Sequence, residues 1–218
     1  MTASLDPVTL QVLTGALRAV CEEMGAVLIQ AAHSANIKER RDASTALFAA
    51  TGEMVMQAEH IPVHLGAMPE AVAAVKDESH AKGDTWILND PFRGGTHLPD
   101  ITLISPLFAG GRHVGFAANR AHHADVGGRT PGSMPADSTT LEEEGVVIPP
   151  TRLVRAGELD RRLLESITSR MRGAGQRVAD LRAQLAANRL AADRIGEIAA
   201  RHGRETLERG MAEALDYA

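Results

Sequence analysis

The sequence predicts a mixed α/β fold of the α+β kind, with a long N-terminal helix, a central mixed strand-and-loop region, and a C-terminal helical segment. Three observations predict it. Apolar residues recur at helical spacing over the first thirty or so positions, short apolar runs separated by Gly and Pro fill the middle, and Ala, Leu and Arg return at helical spacing near the end. With 218 residues, 44% of them hydrophobic and 23% charged, the chain can bury a sizeable core without covalent help.

The first helix follows from Leu10, Val12, Leu13, Leu17, Val20, Met24 and Leu28, with Asp6-Pro7 as N-cap and first helical residue. Its expected end is near Ala35. From about Arg41 to Pro150 the pattern changes. The runs Thr45–Ala49, Trp86–Leu88, Ile101–Ser105 and Val114–Ala118 read as strands, interrupted by one crossover or covering helix from about Gly66 to Val75. The stretch from Gly127 to Glu144 is rich in Gly, Pro, Ser and Thr, and a loop of that length in a compact domain is expected to be functional or mobile. Beyond Gly157, helices are predicted over Leu163–Met171, Val178 to about Ala200 with Gly203 as the stop, and Glu205–Leu215. Apolar positions 178, 181, 185, 190, 195 and 198 form a stripe expected to face a partner or the preceding domain. The boundary is therefore placed at 156/157: a metal-site domain over 1–156, and a helical segment over 157–218 packing on it or on a further C-terminal part.

Charge and cysteine usage exclude several classes. A net charge of −5, with acidic residues interleaved among the basic ones of the last third, gives no footprint for nucleic acid. The single cysteine, Cys21, cannot form an intrachain disulfide and falls in an apolar helical pattern, where a buried thiol is expected. No basic-then-apolar leader and no run approaching the roughly 20 apolar residues of a membrane span is present, so a cytoplasmic location is expected.

Ligand-type side chains concentrate in two places. In Asn89-Asp90-Pro91-Phe92-Arg93-Gly94-Gly95-Thr96-His97-Leu98-Pro99-Asp100, the prolines and the Gly pair exclude a helix interior, so His97 and Asp100 are placed on a turn entering the strand at Ile101. In Ala121-His122-His123-Ala124-Asp125-Val126-Gly127-Gly128, strand alternation lets only one of His122 and His123 face a given site. Imidazoles with carboxylates suit one divalent transition metal, Zn, Mn or Fe, and with a single cysteine in the chain, outside both motifs, a thiolate site is excluded. A single loop histidine is more often satisfied by ordinary hydrogen bonds; two such motifs, each beside a Gly pair and a strand end, favour a site. His60 and His64 lie just before the predicted covering helix as further candidates, and Glu142-Glu143-Glu144 reads first as a solvated turn. Gly94-Gly95 and Gly127-Gly128 match neither a Walker A loop nor a dinucleotide fingerprint, and there is no Gly-x-Ser-x-Gly elbow.

Asn36–Arg40 with Asp42, His60–Met68, Asn89–Asp100 and His122–Gly128 together resemble the hydantoinase B / oxoprolinase family. Thr130–Pro135, Glu144-Gly145 with Ile148–Pro150, and Ala183–Arg189 fit the same pattern in the same order. That family includes N-methylhydantoinase B subunits, the matching half of ATP-dependent 5-oxoprolinase, and the alpha subunits of acetone and acetophenone carboxylases. The resemblance implies a divalent metal held by Asp42, His97, Asp100 and His122, selecting His122 over His123 and adding Asp42. It implies hydrolysis of a lactam or cyclic imide after an ATP-using A-type partner subunit activates it, with carboxylation of a ketone or a non-catalytic assembly role as alternatives. His64, His123 and Glu144 are the candidate catalytic residues. Family members usually run much longer than this chain, so a separate C-terminal B piece is a further expected partner. The chain keeps Arg172 and Asp180-Leu181 but carries Ala174 and Ala179 where the family usually has Pro and Gly.

Overall fold

The computed structural model describes residues 4–59, 64 and 66–216. Its centre is a seven-stranded antiparallel sheet: β1 (Ala43–Ala49), β2 (Met54–Glu59), β3 (Thr85–Leu88), β4 (Asp100–Ala109), β5 (Arg112–His122), β6 (Thr151–Arg155) and β7 (Glu158–Leu159). The spatial order is β2-β1-β5-β4-β3-β6-β7, with β5 inserted between β1 and β4. The helices are α1 (Pro7–Ala31), α2 (Ala35–Lys38), α3 (Met68–Ala73), α4 (Leu141–Glu144), α5 (Arg161–Thr168), α6 (Ala174–His202) and α7 (Arg204–Asp216). The predicted mixed architecture is thus borne out. The 156/157 boundary falls within the β6–β7 hairpin, and the helices after it pack on the sheet.

Helix α1 starts as expected, with the Asp6 carboxylate accepting hydrogen bonds from the Val8 and Thr9 amides ahead of Pro7. It stops four residues short of the sequence expectation. Asp180 of α6 accepts hydrogen bonds from the backbone N–H groups of His33 (2.7 Å) and Ser34 (3.0 Å), holding the chain in a turn before α2. The covering helix is likewise shorter than Gly66–Val75, with Pro69 in its first turn. Gly203 caps α6 as expected.

Strand alternation divides the core. Ala43, Leu47, Ala117 and Ala121 face a layer built from Leu17, Cys21, Met24 and Leu28 of α1, Ala183, Ala187 and Ala191 of α6, and Leu207 of α7. The small side chains of β5 and α6 let helix and sheet approach closely. The opposite residues Ala46, Phe48, Ile104, Phe116 and Ala118 face Met68, Ala71 and Val72 of α3. A third cluster joins Ile87, Leu103 and Leu153 to Leu164, Leu181 and Leu185. The stripe on α6 therefore covers its own sheet: Leu181 and Ile195 are fully buried and Leu185 nearly so. Of the two faces that stripe could meet, it meets the preceding domain.

Buried amides weld α6 to the sheet. Asn119 donates to the Gln184 carbonyl and to Asn188 Oδ1; Gln184 donates to the Ile101 carbonyl and Asn119 Oδ1; Asn188 donates to the Leu103 carbonyl and Ser105 Oγ. Every polar atom so used replaces a bond to water that burial removes. The stretch from Gly127 to Glu144 is equally pinned. Asp125 accepts from the Gly127, Gly132 and Arg172 amides, Ser133 Oγ from Val126 and Gly128, and Arg172 reaches the Gly128 and Thr130 carbonyls. Among the described residues no helix is long and apolar enough to cross a membrane.

Candidate metal centre

At one end of β1, β5 and β4, on the face opposite the long helices, five side chains converge. Asp100 opens β4 and is the register partner of His122, the last residue of β5. His97 comes from the turn before β4, where its carbonyl accepts from the Asp100 amide. Asp42 immediately precedes β1, and its carbonyl accepts from the His122 amide. Arg41, at φ +54°, takes the left-handed conformation in the turn that presents it. His64 lies between β2 and α3 and is buried.

The distances define one cluster. Asp100 Oδ1 is 3.2 Å from His122 Nδ1, and Asp100 Oδ2 is 3.1 Å from His97 Nδ1 and 3.6 Å from His64 Nε2. Asp42 lies 3.7 Å from His64 Nε2 through Oδ1 and 4.0 Å from His122 Nδ1 through Oδ2. One ligand atom from each of His97, Asp100 and His122 falls within 4.8 Å of the others. Burial works to raise the Asp100 pKa, but the His122, His64 and His97 imidazoles beside it outweigh burial and hold the group well below the usual carboxylate range. The hydrogen bond to Asp100 raises the pKa of His97, with burial opposing.

Three further side chains, absent from the sequence-level set, support the cluster. Ser44 Oγ lies 2.9 Å from His64 Nδ1, which leaves Nε2 turned towards the two carboxylates. Thr96 Oγ1 donates to Asp100 Oδ2 at 3.2 Å. Arg120, fully buried on β5, donates from Nε to Thr102 Oγ1 at 2.8 Å. The sequence carried a signal for the last: a charged residue inside an apolar strand, two positions before His122 and so on the same face.

The donor set fits a divalent ion. It is all imidazole and carboxylate, and two of its buried atoms, Asp42 Oδ1 and His64 Nε2, have no hydrogen-bond partner. Asp42, His97, Asp100 and His122 all reach the cluster, and His64 lies against both carboxylates. His123 does not reach it. Alternation turns it to the helix face, where Nε2 meets Gln184 Oε1 at 3.0 Å and complete burial lowers its pKa to about 4. Glu144 does not reach it either; it accepts from Ser138 Oγ at 2.8 Å, at the end of α4. His60 lies outside the described residues.

Comparisons with known proteins place this architecture. The family model described as hydantoinase B/oxoprolinase matches residues 6–218. An uncharacterized protein of Methanocaldococcus jannaschii is 41% identical over 98% of this chain and 39% of its own length. A 5-oxoprolinase of Dictyostelium discoideum is 39% identical over 86% of this chain and 15% of its own. The crystal structure of an ATP-dependent caprolactamase from Pseudomonas jessenii superposes with a TM-score of 0.90 at 30% identity, covering 99% of this chain and 38% of that one. A nucleotide-free acetone carboxylase gives a TM-score of 0.91 over 97% of this chain and 28% of that one, and at 22% identity it shows the shared fold alone. The fold and its cluster of imidazoles and carboxylates define a class, a mixed α/β domain with one polar centre at a sheet end. The chain belongs to the hydantoinase B/oxoprolinase family, and it spans well under half the length of these relatives.

Proposed function

We propose that this chain is the metal-holding part of an ATP-dependent amidohydrolase that opens a lactam or cyclic imide. The observation that carries the reading is the convergence of His97, Asp100 and His122, with Asp42 beside His122 and His64, from three separate stretches of chain. Relatives named as a 5-oxoprolinase and a caprolactamase favour a cyclic amide over a ketone as the substrate class.

Asp42, His97, Asp100 and His122 hold one divalent ion, Zn, Mn or Fe. When bound, such an ion polarises a carbonyl oxygen and acidifies water. The residues do the rest. Asp100, kept ionised by its three imidazole neighbours, orders His97 and His122 around itself. His64, its Nδ1 engaged by Ser44, holds or passes a proton at Nε2. The ATP-using step belongs to an A-type partner subunit, since this chain has no phosphate-cradling loop of known type.

The purified chain is expected to carry close to one divalent transition metal, and His97→Ala to lose most of it; equal metal in both by elemental analysis removes the assignment. Coexpressed with an A-type subunit, the chain should support ATP-dependent opening of a lactam or hydantoin and lose it with His97→Ala. A complex that turns over ketones alone shifts the reading to the carboxylase branch.

A further inference from the structure

Arg120 is a fully buried cation, and among the described residues none of its nitrogens lies within 4.0 Å of a carboxylate oxygen. A buried charge costs several kcal/mol unless its surroundings compensate it, so its presence here calls for a role. Its guanidinium fork spends its donors on four acceptors. Nε meets Thr102 Oγ1 at 2.8 Å, Nη1 meets Thr96 Oγ1 at 3.4 Å, and Nη2 meets the Ala67 carbonyl at 3.4 Å and the Gly94 carbonyl at 3.3 Å.

The placement of those acceptors in the sequence matters. Ala67 follows His64 by three residues, Thr96 precedes His97, Thr102 follows Asp100 by two, and Arg120 precedes His122 by two. One side chain thus touches a segment next to each of three members of the cluster and is carried by the strand of a fourth, His122. The link to Asp100 is closer still, because Thr96 Oγ1 accepts from Arg120 and donates its own proton to Asp100 Oδ2. Among the described residues no strand ladder joins the His64 and His97 segments, and this fork links both of them to β4 and β5.

We propose that Arg120 is the positioning residue of the cluster: its guanidinium sets the spacing of the His64 and His97 segments against Asp100 and His122, and so sets the grip on a divalent ion. The proposal rests on the metal-centre reading above. Outer contacts that orient ligands typically contribute 10- to 100-fold in metal affinity. A lysine cannot replace the fork, because an ammonium is a point charge with no fixed planar geometry.

The test uses the full chain, stripped of metal and titrated with zinc(II) and, separately, manganese(II) against a chelating competitor, with melting of the metal-free protein followed in parallel. Arg120→Met should bind either ion about 10- to 100-fold more weakly while the metal-free melting temperature stays within a few degrees of wild type. Arg120→Lys should recover little of the loss. Thr96→Val cuts only the relay to Asp100 and leaves the guanidinium in place; it should weaken binding roughly two- to tenfold. It also keeps the test decisive should both Arg120 variants fail to fold. Wild type and Thr96→Val binding equally tightly, or Arg120→Met binding as tightly as wild type, would overturn the role of Arg120 alone. Loss of affinity that merely follows loss of metal-free stability would overturn it too. A wild-type chain that takes up neither ion would overturn the metal centre itself, and this proposal with it.

Discussion

Gln184→Leu tests whether the amide ladder between α6 and the sheet is what seats that helix. The substitution keeps approximate volume and helix propensity, so its effect isolates the amide. Three partners lose a bond. The Ile101 carbonyl and Asn119 Oδ1 each lose a donor at 2.9 Å, and His123 Nε2–H loses its acceptor at 3.0 Å. Asn119 and His123 are fully buried, so water cannot take the place of the amide. At about 1–3 kcal/mol for each stranded group, and with the added leucine methyls offsetting part, the cost is roughly 3–6 kcal/mol. That is a large share of the roughly 5–15 kcal/mol that holds a typical domain together. Urea unfolding of wild type and variant, with the slope unchanged so that midpoints compare directly, measures it. A loss below about 1 kcal/mol would refute the ladder as the element that seats α6, because stranded buried polar groups cannot be that inexpensive.

Other consequences are as direct. A Cβ added at Gly95 would collide with the Asn89 and Asp90 carbonyls, so Gly95→Ala should cost about 1–3 kcal/mol by denaturation and displace the turn carrying His97. Normal stability with full metal content would count against that turn's geometry. Burial pushes the Cys21 thiol up to about 12, so a thiol-reactive disulfide reagent at pH 8 should label the chain only as it unfolds; rapid labelling of the native chain would contradict the packing of α1 on β1. Burial works to raise the Asp125 pKa, but hydrogen bonds from Gly127, Gly132 and Arg172 leave it below the usual carboxylate value. A depressed folded pKa means that this stability is present above the unfolded pKa and is lost as pH falls through the folded one. Asp125→Asn should therefore flatten the decline of stability below about pH 4, measured by urea midpoints across pH 3–6; an unaltered acid limb would show that the carboxylate does not clamp the 127–132 loop.

The elements that sequence pattern predicted are those with a strong apolar period. Helix α1 is legible because Leu13, Leu17, Val20, Met24 and Leu28 lie on one face, and α6 because its stripe is long. Four strands were visible as apolar runs bounded by Gly or Pro. Strands β2, β6 and β7 were not, for physical reasons. Strand β2 is a sheet edge whose residues 54–58 are all half-buried, so it has no clean inside-outside alternation. Strands β6 and β7 form a short hairpin after Pro149-Pro150, closed by Ala156 and Gly157 at positive φ, and β7 has only two residues. The early end of α1 depended on Asp180, nearly 150 residues away, and no local signal encodes such a cap.

The site was legible in proportion to how far each residue's role is local. His97 and Asp100 share one turn, and the glycines and prolines around them identify that turn without any tertiary information. Choosing between His122 and His123 needed the strand to run unbroken to its end, and the register Asp100↔His122 supplies that: one step of alternation sends His122 to the carboxylates and His123 to Gln184. Asp42 had no spacing signal, because it joins the cluster only through the pairing of β1 with β5, where Ala43 faces Ala121. That pairing also explains Ser44 and Arg120. They are themselves register partners, on the cluster's face of neighbouring strands, and each touches the cluster through one contact or one relay. Sequence motifs mark the residues that bond a ligand, because turns and glycines surround them. The side chains that hold those residues apart sit inside ordinary-looking strands. Read from His122 backwards in steps of two, β5 gives Arg120, Ala118 and Phe116: one charge and then the apolar floor beneath α3. A buried charge at that position has no packing explanation, and the same alternation that decides the ligand points to the residue that positions it.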